Sequence, residues 1–331
     1  MKFPDTNYNP PFNITRASHL TLTVKDLGRS KEFYTEVFGL VVSDEDSETI
    51  FLRGVEEVAH HSLVLHKTVD APRCQSIGMR VQFDEDLDRA KAHFDREGIR
   101  SEWIEVPFQA RTLRFHDCAG TPVDLVARME TRQRLLGQSR LHKGGAVLRL
   151  DHYQLHTPDP HEASIYYSNL GFRCSDYNVG GTPERITGAF MSRKDNPHDI
   201  VYIRGRGPAL HHFAYAIMES SHIFRACDAA AQLGFGQTVE RGPQRHGLDH
   251  MLYVYFRDPD GHRAEIFIMP IQLIDLEEPP HEWGTIGTLE QPWGRPAPKS
   301  WFFETTPFEN VELSPRLEEW EPMTLEKSLG L

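Results

Sequence analysis

Cysteine is scarce in this chain of 331 residues, with only Cys74, Cys118, Cys174 and Cys227, and no two of them form a CxxC pair. That scatter excludes a zinc ribbon and a disulfide framework, so the four read as reduced, small hydrophobes. Long apolar runs are missing as well. No stretch approaches the roughly 20 residues of a membrane span, and MKFPDTNYNPPFN lacks the basic-then-apolar plan of a signal peptide. The expectation is a cytoplasmic protein with no membrane partner. Basic residues are the minority charge, 36 Lys and Arg against 48 Asp and Glu, for a net charge of −12. With no basic stripe to neutralise phosphates, a nucleic-acid partner is excluded.

Histidine is in excess, with 18 in the chain, which directs attention to a metal or acid–base site. The chain also repeats itself. SHLTLTVKD (18–26) and LDHYQLHTPD (150–159) each place an aspartate seven residues after a histidine, and Asp26 and Asp159 both suit a helix N-cap. The following stretches end EVFGL and SNLGF; Tyr34 with Phe38, and Ile165 with Tyr166 and Leu170, supply their apolar faces. HSLVLHK (61–67) parallels HDIVYIRG (198–205), and LRFHDCAGTPVDLVAR (113–128) parallels VYFRDPDGHRAEIFIM (254–269), setting Asp124 opposite Glu265. Within each half the order strand, helix, short strands occurs twice. Second helices carry Leu87, Ala90 and Phe94, or Ile223, Ala226, Cys227, Ala230 and Leu233, at helical spacing. The expected architecture is α+β: four βαβββ modules in two similar domains, 14–129 and 147–270, joined by a linker at 135–145. A tail, 271–331, holds four of the five tryptophans (Trp283, Trp293, Trp301, Trp320) and is expected to wrap onto the second domain.

Strand parity sorts the histidines, because alternate side chains point to opposite faces. In GPALHHFAYAI (207–217), His211 shares a face with Phe213, Tyr215 and Ile217, while His212 shares one with Ala214 and Ala216. His211 therefore reads as a core residue or one lying behind the site. Tyr255 in MLYVYFR and Glu265 in HRAEIFIM likewise lie opposite clear apolar faces. A concave sheet would aim His152, His212, Tyr255 and Glu265 into one cavity. Two neutral imidazoles and a carboxylate suit a divalent first-row metal with positions left open.

These pieces, LDHYQLHTPD, RKDNPHD, GPALHHFAY, ERGPQRHG and YFRDPDGHRAEIF, in this order and spacing, resemble the vicinal oxygen chelate superfamily with its glyoxalase, bleomycin-resistance and extradiol-dioxygenase fold. Within it the likeness is to type I extradiol ring-cleaving dioxygenases, the homoprotocatechuate 2,3-dioxygenases most of all, over 15–301. The resemblance implies metal ligands His152, His212 and Glu265; a proton-moving His198; Tyr255 and His246 beside the substrate; and Arg241 behind them. Gln154 stands where an asparagine is usual, and Phe190 where a tryptophan is. It further implies a catechol-type substrate chelating Fe2+, or Mn2+ in the same ligands, with O2 at an adjacent site and a ring-opened semialdehyde as product. A homo-oligomer, a tetramer in the family, is implied too. The paired arginines that hold a substrate carboxylate in those relatives have no match: Leu289 and Glu290 fall there, with Arg295 and Arg206 as stand-ins, so catechols with neutral substituents are expected. Alternatives are a hydroquinone or trihydroxybenzene ring-cleaving dioxygenase, and a non-oxidative metal-dependent enzyme or binding protein of the superfamily. In the first half, His19 and Asp124 match two ligands but Ile77 falls near the place of His212, so no metal is expected there. His19 and His61, the counterparts of His152 and His198, read as ordinary, and His250 and His262 as solvated.

Overall fold

The computed structural model describes residues 3–181, 183–248, 250–268, 271–283, 292–315 and 322–331. In the first half, β1 (Ile14–Val24) leads into α1 (Leu27–Glu32) and a wider helical turn, Phe33–Phe38; β2 (Val41–Glu45), β3 (Thr49–Arg53) and β4 (Leu63–Lys67) complete the module. The second module is β5 (Cys74–Val81), α2 (Asp84–Glu97), β6 (Ser101–Ile104), β7 (Thr112–His116) and β8 (Pro122–Val126). The other half repeats the plan with β9 (Arg149–Thr157), α3 (Pro160–Asn169), β10 (Arg173–Gly180), β11 (Arg185–Ser192) and β12 (Ile200–Arg204). It closes with β13 (Ala209–Ile217), α4 (Ser221–Gln232), β14 (Val239–Arg245), β15 (Leu252–Arg257) and β16 (Arg263–Ile268). The tail supplies β17 (His281–Trp283), α5 (Lys299–Phe303), β18 (Thr306–Pro307) and α6 (Leu325–Leu329). No described helix is long and apolar enough to cross a membrane.

The two sheets have matching strand orders, β2-β3-β4-β1-β5-β8-β7-β6 and β14-β15-β16-β13-β9-β12-β11-β10-β17. In each, the first strands of the two modules run antiparallel at the centre, and each pairs in parallel with the last strand of its own module. The local causes are those that the sequence announces. Asp26 and Asp159 accept from the backbone N–H groups of Arg29 and Glu162, at 2.9 and 3.0 Å, and Pro160 opens α3 where no amide partner is needed. One helical face is displaced: Ile165 is exposed and Tyr167 buried, because α3 turns its second tyrosine inward. The linker folds back on the first helix, where Gly39 and Gly144 allow close approach; a Cβ on either would lie 2.2 Å from a backbone carbonyl oxygen.

The apolar faces of both sheets feed one continuous core, which includes Leu20, Ile77, Tyr153, Phe213, Tyr215 and Ile217. The opposite face of β13 carries Ala214 and Ala216 into a smaller cluster with Tyr255, Phe267 and Trp301. The tail wraps the second sheet, as β17 extends it beside β10 and β18 pairs with β13. It also reaches the first half, where Glu309 N donates to Cys74 O at 2.8 Å. His262 is buried, between Thr306 Oγ1 and Thr23 O at 3.0 Å each, so it stitches tail and first sheet instead of facing solvent.

The halves are locked reciprocally. Tyr34, after α1, donates to Asp258 Oδ2 at 2.8 Å in the β15–β16 turn, and Tyr167 of α3 donates to Asp117 Oδ2 at 3.0 Å in the β7–β8 turn. Asp258 Oδ1 is taken by the N–H groups of Asp260 and His262, whereas Asp117 Oδ2 also accepts from Tyr202. Tyr34→Phe should therefore lower the unfolding free energy by roughly 1.5–3 kcal/mol, the range for a bond to a charged group. Tyr167→Phe should cost less, since Tyr202 still serves Asp117. Urea unfolding of the two variants checks the order, and equal losses would mean that Tyr202 does not compensate.

Candidate metal centre

Register assembles the site. Across four adjacent strands, His152 of β9 faces Ala214 of β13, Ala214 faces Glu265 of β16, and Glu265 faces Tyr255 of β15. Ala214 is the small member of that row, which lets the side chains on either side of it meet. His212 stands two residues from Ala214 on the same face. His152 Nε2, His212 Nε2 and Glu265 Oε2 lie 3.3, 3.4 and 3.4 Å from one another, all buried.

Their hydrogen-bonding partners define what this triangle can hold. His152 Nδ1 is 3.2 Å from Asp151 Oδ2, a carboxylate that only accepts, so Nδ1 carries the hydrogen and Nε2 presents a lone pair. Burial opposes ionisation of Asp151, but Lys194 and the His152 bond outweigh it and lower its pKa. His212 Nδ1 is engaged at 2.8 Å by His211. Two nitrogen lone pairs and a carboxylate oxygen thus converge, an arrangement that needs a cation and fits a divalent metal. A proton is the lesser substitute. Burial works against charge on His152, yet its bonds to Asp151 and Glu265 raise its pKa, while burial brings His212 down to about 4. Burial would raise Glu265, but His152, His212 and His246 hold it well below the usual carboxylate range. Among the described residues, this is the one group of histidine, cysteine and carboxylate side chains spaced to hold a metal.

The triangle borders a cavity of about 1020 Å³, lined by His152, Gln154, Phe190, His198, Arg241, His246, Glu265 and Trp301 among others. The His198 ring lies edge-on to His152, centroids 4.2 Å apart, and its Nδ1 is buried with no partner among the described residues. Burial first, then the neighbouring His152, depress its pKa well below the ordinary value. Phe190 packs edge-on against the same ring at 5.5 Å. Tyr255 Oη and His246 Nε2 are 3.0 Å apart, and His246 stacks on Tyr253. Burial, with Glu265 adding to it, raises the Tyr255 pKa well above normal, so the phenol stays protonated. The Arg241 guanidinium lies over the Trp301 and Tyr253 rings at 4.5 and 5.2 Å. Arg295 is exposed and outside the cavity wall, and Arg206 is exposed at the mouth, with Nε donating to Ser314 O. Leu289 and Glu290 lie outside the described residues, as does Trp320; Trp293 is exposed and leaves closure to Trp301.

Three features escaped sequence reading. Asp151 and the Asn196 amide that donates to it at 2.7 Å orient His152, and RKDNPHD carried no local sign of that role. The β-bulge is the second: the register passes from Leu210↔Leu155 directly to His212↔Gln154, leaving His211 as the extra residue and placing it behind the site, the second of its two expected places, not in the core. Paired register also corrects the first half. There Thr21 pairs with Ser76 as Gln154 pairs with His212, so Ser76, not the core residue Ile77, occupies the third ligand position. Asp124 faces Arg114 where Glu265 faces Tyr255. Arg114 grips Asp124 through Nε and Nη2, both at 2.7 Å, Ser76 Oγ donates to the same carboxylate, and Gln109 Nε2 bridges His19 and His61. The His19 ring occupies the space that a Cβ on Gly78 would need. Burial first and nearby arginines next bring His19 down to about 3.

The Glyoxalase/Bleomycin resistance protein/Dioxygenase superfamily model matches residues 16–121 and, separately, 149–266. A manganese-dependent 2,3-dihydroxybiphenyl 1,2-dioxygenase of Geobacillus genomosp. 3 is 30% identical over 287 residues, 82% of this chain and 90% of its own. A metapyrocatechase of Pseudomonas sp. (strain CF600) is 26% identical, covering 77% of this chain and 86% of its own. Homoprotocatechuate 2,3-dioxygenase of Brevibacterium fuscum, in complex with 3,4-dihydroxyphenylacetate, superposes with a TM-score of 0.86 at 34% identity, over 92% of this chain and 96% of that one. The Arthrobacter globiformis enzyme of the same name gives 0.88 at 32%, over 96% and 100%. With each half answering to one family model and relatives alike over most of their length, this chain belongs to the Glyoxalase/Bleomycin resistance protein/Dioxygenase superfamily.

Proposed function

We propose that the chain is an extradiol dioxygenase: it opens a catechol ring beside its two hydroxyls with O2, at an iron(II) or manganese(II) ion held by His152, His212 and Glu265. The observation that carries this is the buried triangle of two imidazole lone pairs and a carboxylate at the wall of a large cavity. A metal bound there supplies a template on which catechol and O2 meet and a path for electrons between them. The chain's own residues do the rest. His198, kept neutral by burial, can take a proton from a substrate hydroxyl and return it during ring opening. Tyr255 keeps its hydrogen, and its contact with His246 gives the substrate side an oriented donor. Phe190 and Trp301 exclude water around the ring. Homo-oligomer formation, a tetramer by family likeness, and residence in the cytoplasm belong to the same reading.

The metal assignment has an internal control. Purified Glu265→Ala should retain no metal, whereas Asp124→Asn should keep one per chain by elemental analysis. A metal lost with Asp124 would place a second site in the first half.

For His198, replacement by Phe should leave metal content intact and slow turnover by about 10²–10⁴-fold, the usual contribution of an acid–base group. Metal loss in His198→Phe would make it a ligand.

The substrate is a catechol with a neutral alkyl or aryl substituent. Phe190, Ile203, Leu248, Met251 and Phe302 give the cavity apolar walls, and Arg241 is already stacked on Trp301 and Tyr253. Arg204 faces Thr157, five residues along β9 from His152, which sets their backbones about 16 Å apart. 4-Methylcatechol should exceed 3,4-dihydroxyphenylacetate in kcat/KM. A tenfold advantage for the acid, about 1.4 kcal/mol, would instead give its carboxylate a charge partner among the arginines of the cavity wall.

A further inference from the structure

The bulge at His211 turns two consecutive histidines to one side of β13. His211 Nε2 lies 2.7 Å from the backbone carbonyl oxygen of Trp301 in α5. A carbonyl only accepts, so the hydrogen of a neutral His211 ring sits on Nε2 and its Nδ1 is an acceptor. His212 Nδ1 lies 2.8 Å from that acceptor and must donate to it, which leaves His212 Nε2 as a lone pair aimed at His152 and Glu265. Gln154 Nε2 lies 3.2 Å from the same His211 nitrogen, and the His156 ring stacks on His211 at 5.0 Å, so the ring is held in place on two further sides.

We propose that His211 is a positioning residue: it fixes the tautomer of His212 and ties the tail at Trp301 to the metal triangle. The proposal rests on the reading of His152, His212 and Glu265 as the metal site. It gives the run of hydrogen bonds one direction, from the ring beside the metal, through His211, to the carbonyl of the tail. Metal binding and docking of α5 are then coupled, each favouring the other. The first half offers a comparison. The register there jumps in the same place, from Thr21↔Ser76 to Leu22↔Cys74, leaving Gln75 as the extra residue. Gln75 turns to His66 and Glu309 instead. The bulge is therefore common to both halves, and the histidine in it belongs only to the half with the triangle.

Two conservative variants cut the relay on either side. His211→Asn keeps an amide oxygen near Nδ1 but cannot reach Trp301; His211→Gln can still reach Trp301 but offers no acceptor to His212. Metal-free protein is titrated with Mn2+ and free ion is followed by electron paramagnetic resonance, with Glu265→Ala as the control for the site itself. His211→Gln should weaken Mn2+ binding by roughly 10–100-fold, the range for losing a partner behind a ligand, and His211→Asn should weaken it less, only by the factor through which α5 docking favours the metal. Mn2+ should slow hydrogen exchange at residues 299–303 in the wild type and not in His211→Asn. Wild-type affinity in His211→Gln, equal weakening in both variants, or unchanged protection in His211→Asn overturns the relay. Failure of the wild type to bind Mn2+, or retention of binding by Glu265→Ala, overturns the site reading and the relay with it. Should a variant not fold, 15N shifts of labelled wild-type protein still read the tautomers, and His211 protonated on Nδ1 would refute the proposal.

Discussion

Three electron-pair donors buried 3.3–3.4 Å apart repel one another unless positive charge sits among them, and the architecture of the second half follows from holding them there. Single strands cannot do this, because one strand offers a residue every second position and adjacent strands stand about 4.8 Å apart. The row His152, Ala214, Glu265, Tyr255 works because the central member is a methyl group. Two long side chains then meet above it, with His212 arriving from farther along the same strand. Packing on the other face of β13, by Phe213, Tyr215 and Ile217, fixes the strand so that this meeting point does not wander.

The first half solves the same electrostatic problem differently. Its row is His19, Gly78, Asp124, Arg114. The aspartate is satisfied by a bidentate guanidinium from the position that Tyr255 holds in the other half, and by Ser76 from the position of His212. An internal cation thus does for Asp124 what a metal would do for Glu265, and the His19 ring settles over the bare Gly78 backbone. The two halves share the frame and differ in the charge balance of their rows.

Much of this was legible because repeats and parity report backbone geometry. The duplicated His-to-Asp spacing, the helix caps and the face shared by His212, Ala214 and Ala216 all follow from period and N-cap chemistry. Parity failed where the backbone breaks its own alternation. A bulge adds one residue, which turned His211 away from the core to the cavity side, behind His212; Ile77 gave way to Ser76 because paired register, not motif spacing, sets which residues of the two halves correspond. Nothing in LHHFAY marks that extra residue, since each histidine is chemically acceptable on either side. Long-range contacts were equally silent. The burial of His262 depends on Thr23 and Thr306, 239 and 44 residues away, and the orientation of His152 depends on Asn196. Tyr167 replaced Ile165 as the buried residue of α3 because its hydroxyl has a buried carboxylate to reach in the opposite half.

That last exchange shows how the halves constrain the site. Asp117 and Asp258 cap the turns joining β7 to β8 and β15 to β16, and each accepts backbone N–H groups of its own turn as well as a tyrosine from the other half. The β15–β16 turn sets the register that places Tyr255 opposite Glu265. A residue of the first half, Tyr34, therefore helps to hold the frame in which the candidate ligands stand. From the other side, Arg263, buried beside Glu240, donates to His211 O, Ser300 O and Glu304 O, so the strand that carries Glu265 also grips the tail. The site is enclosed by elements from both halves and the tail, and this is why the first half, with no metal-spaced triangle among its described residues, remains part of the frame.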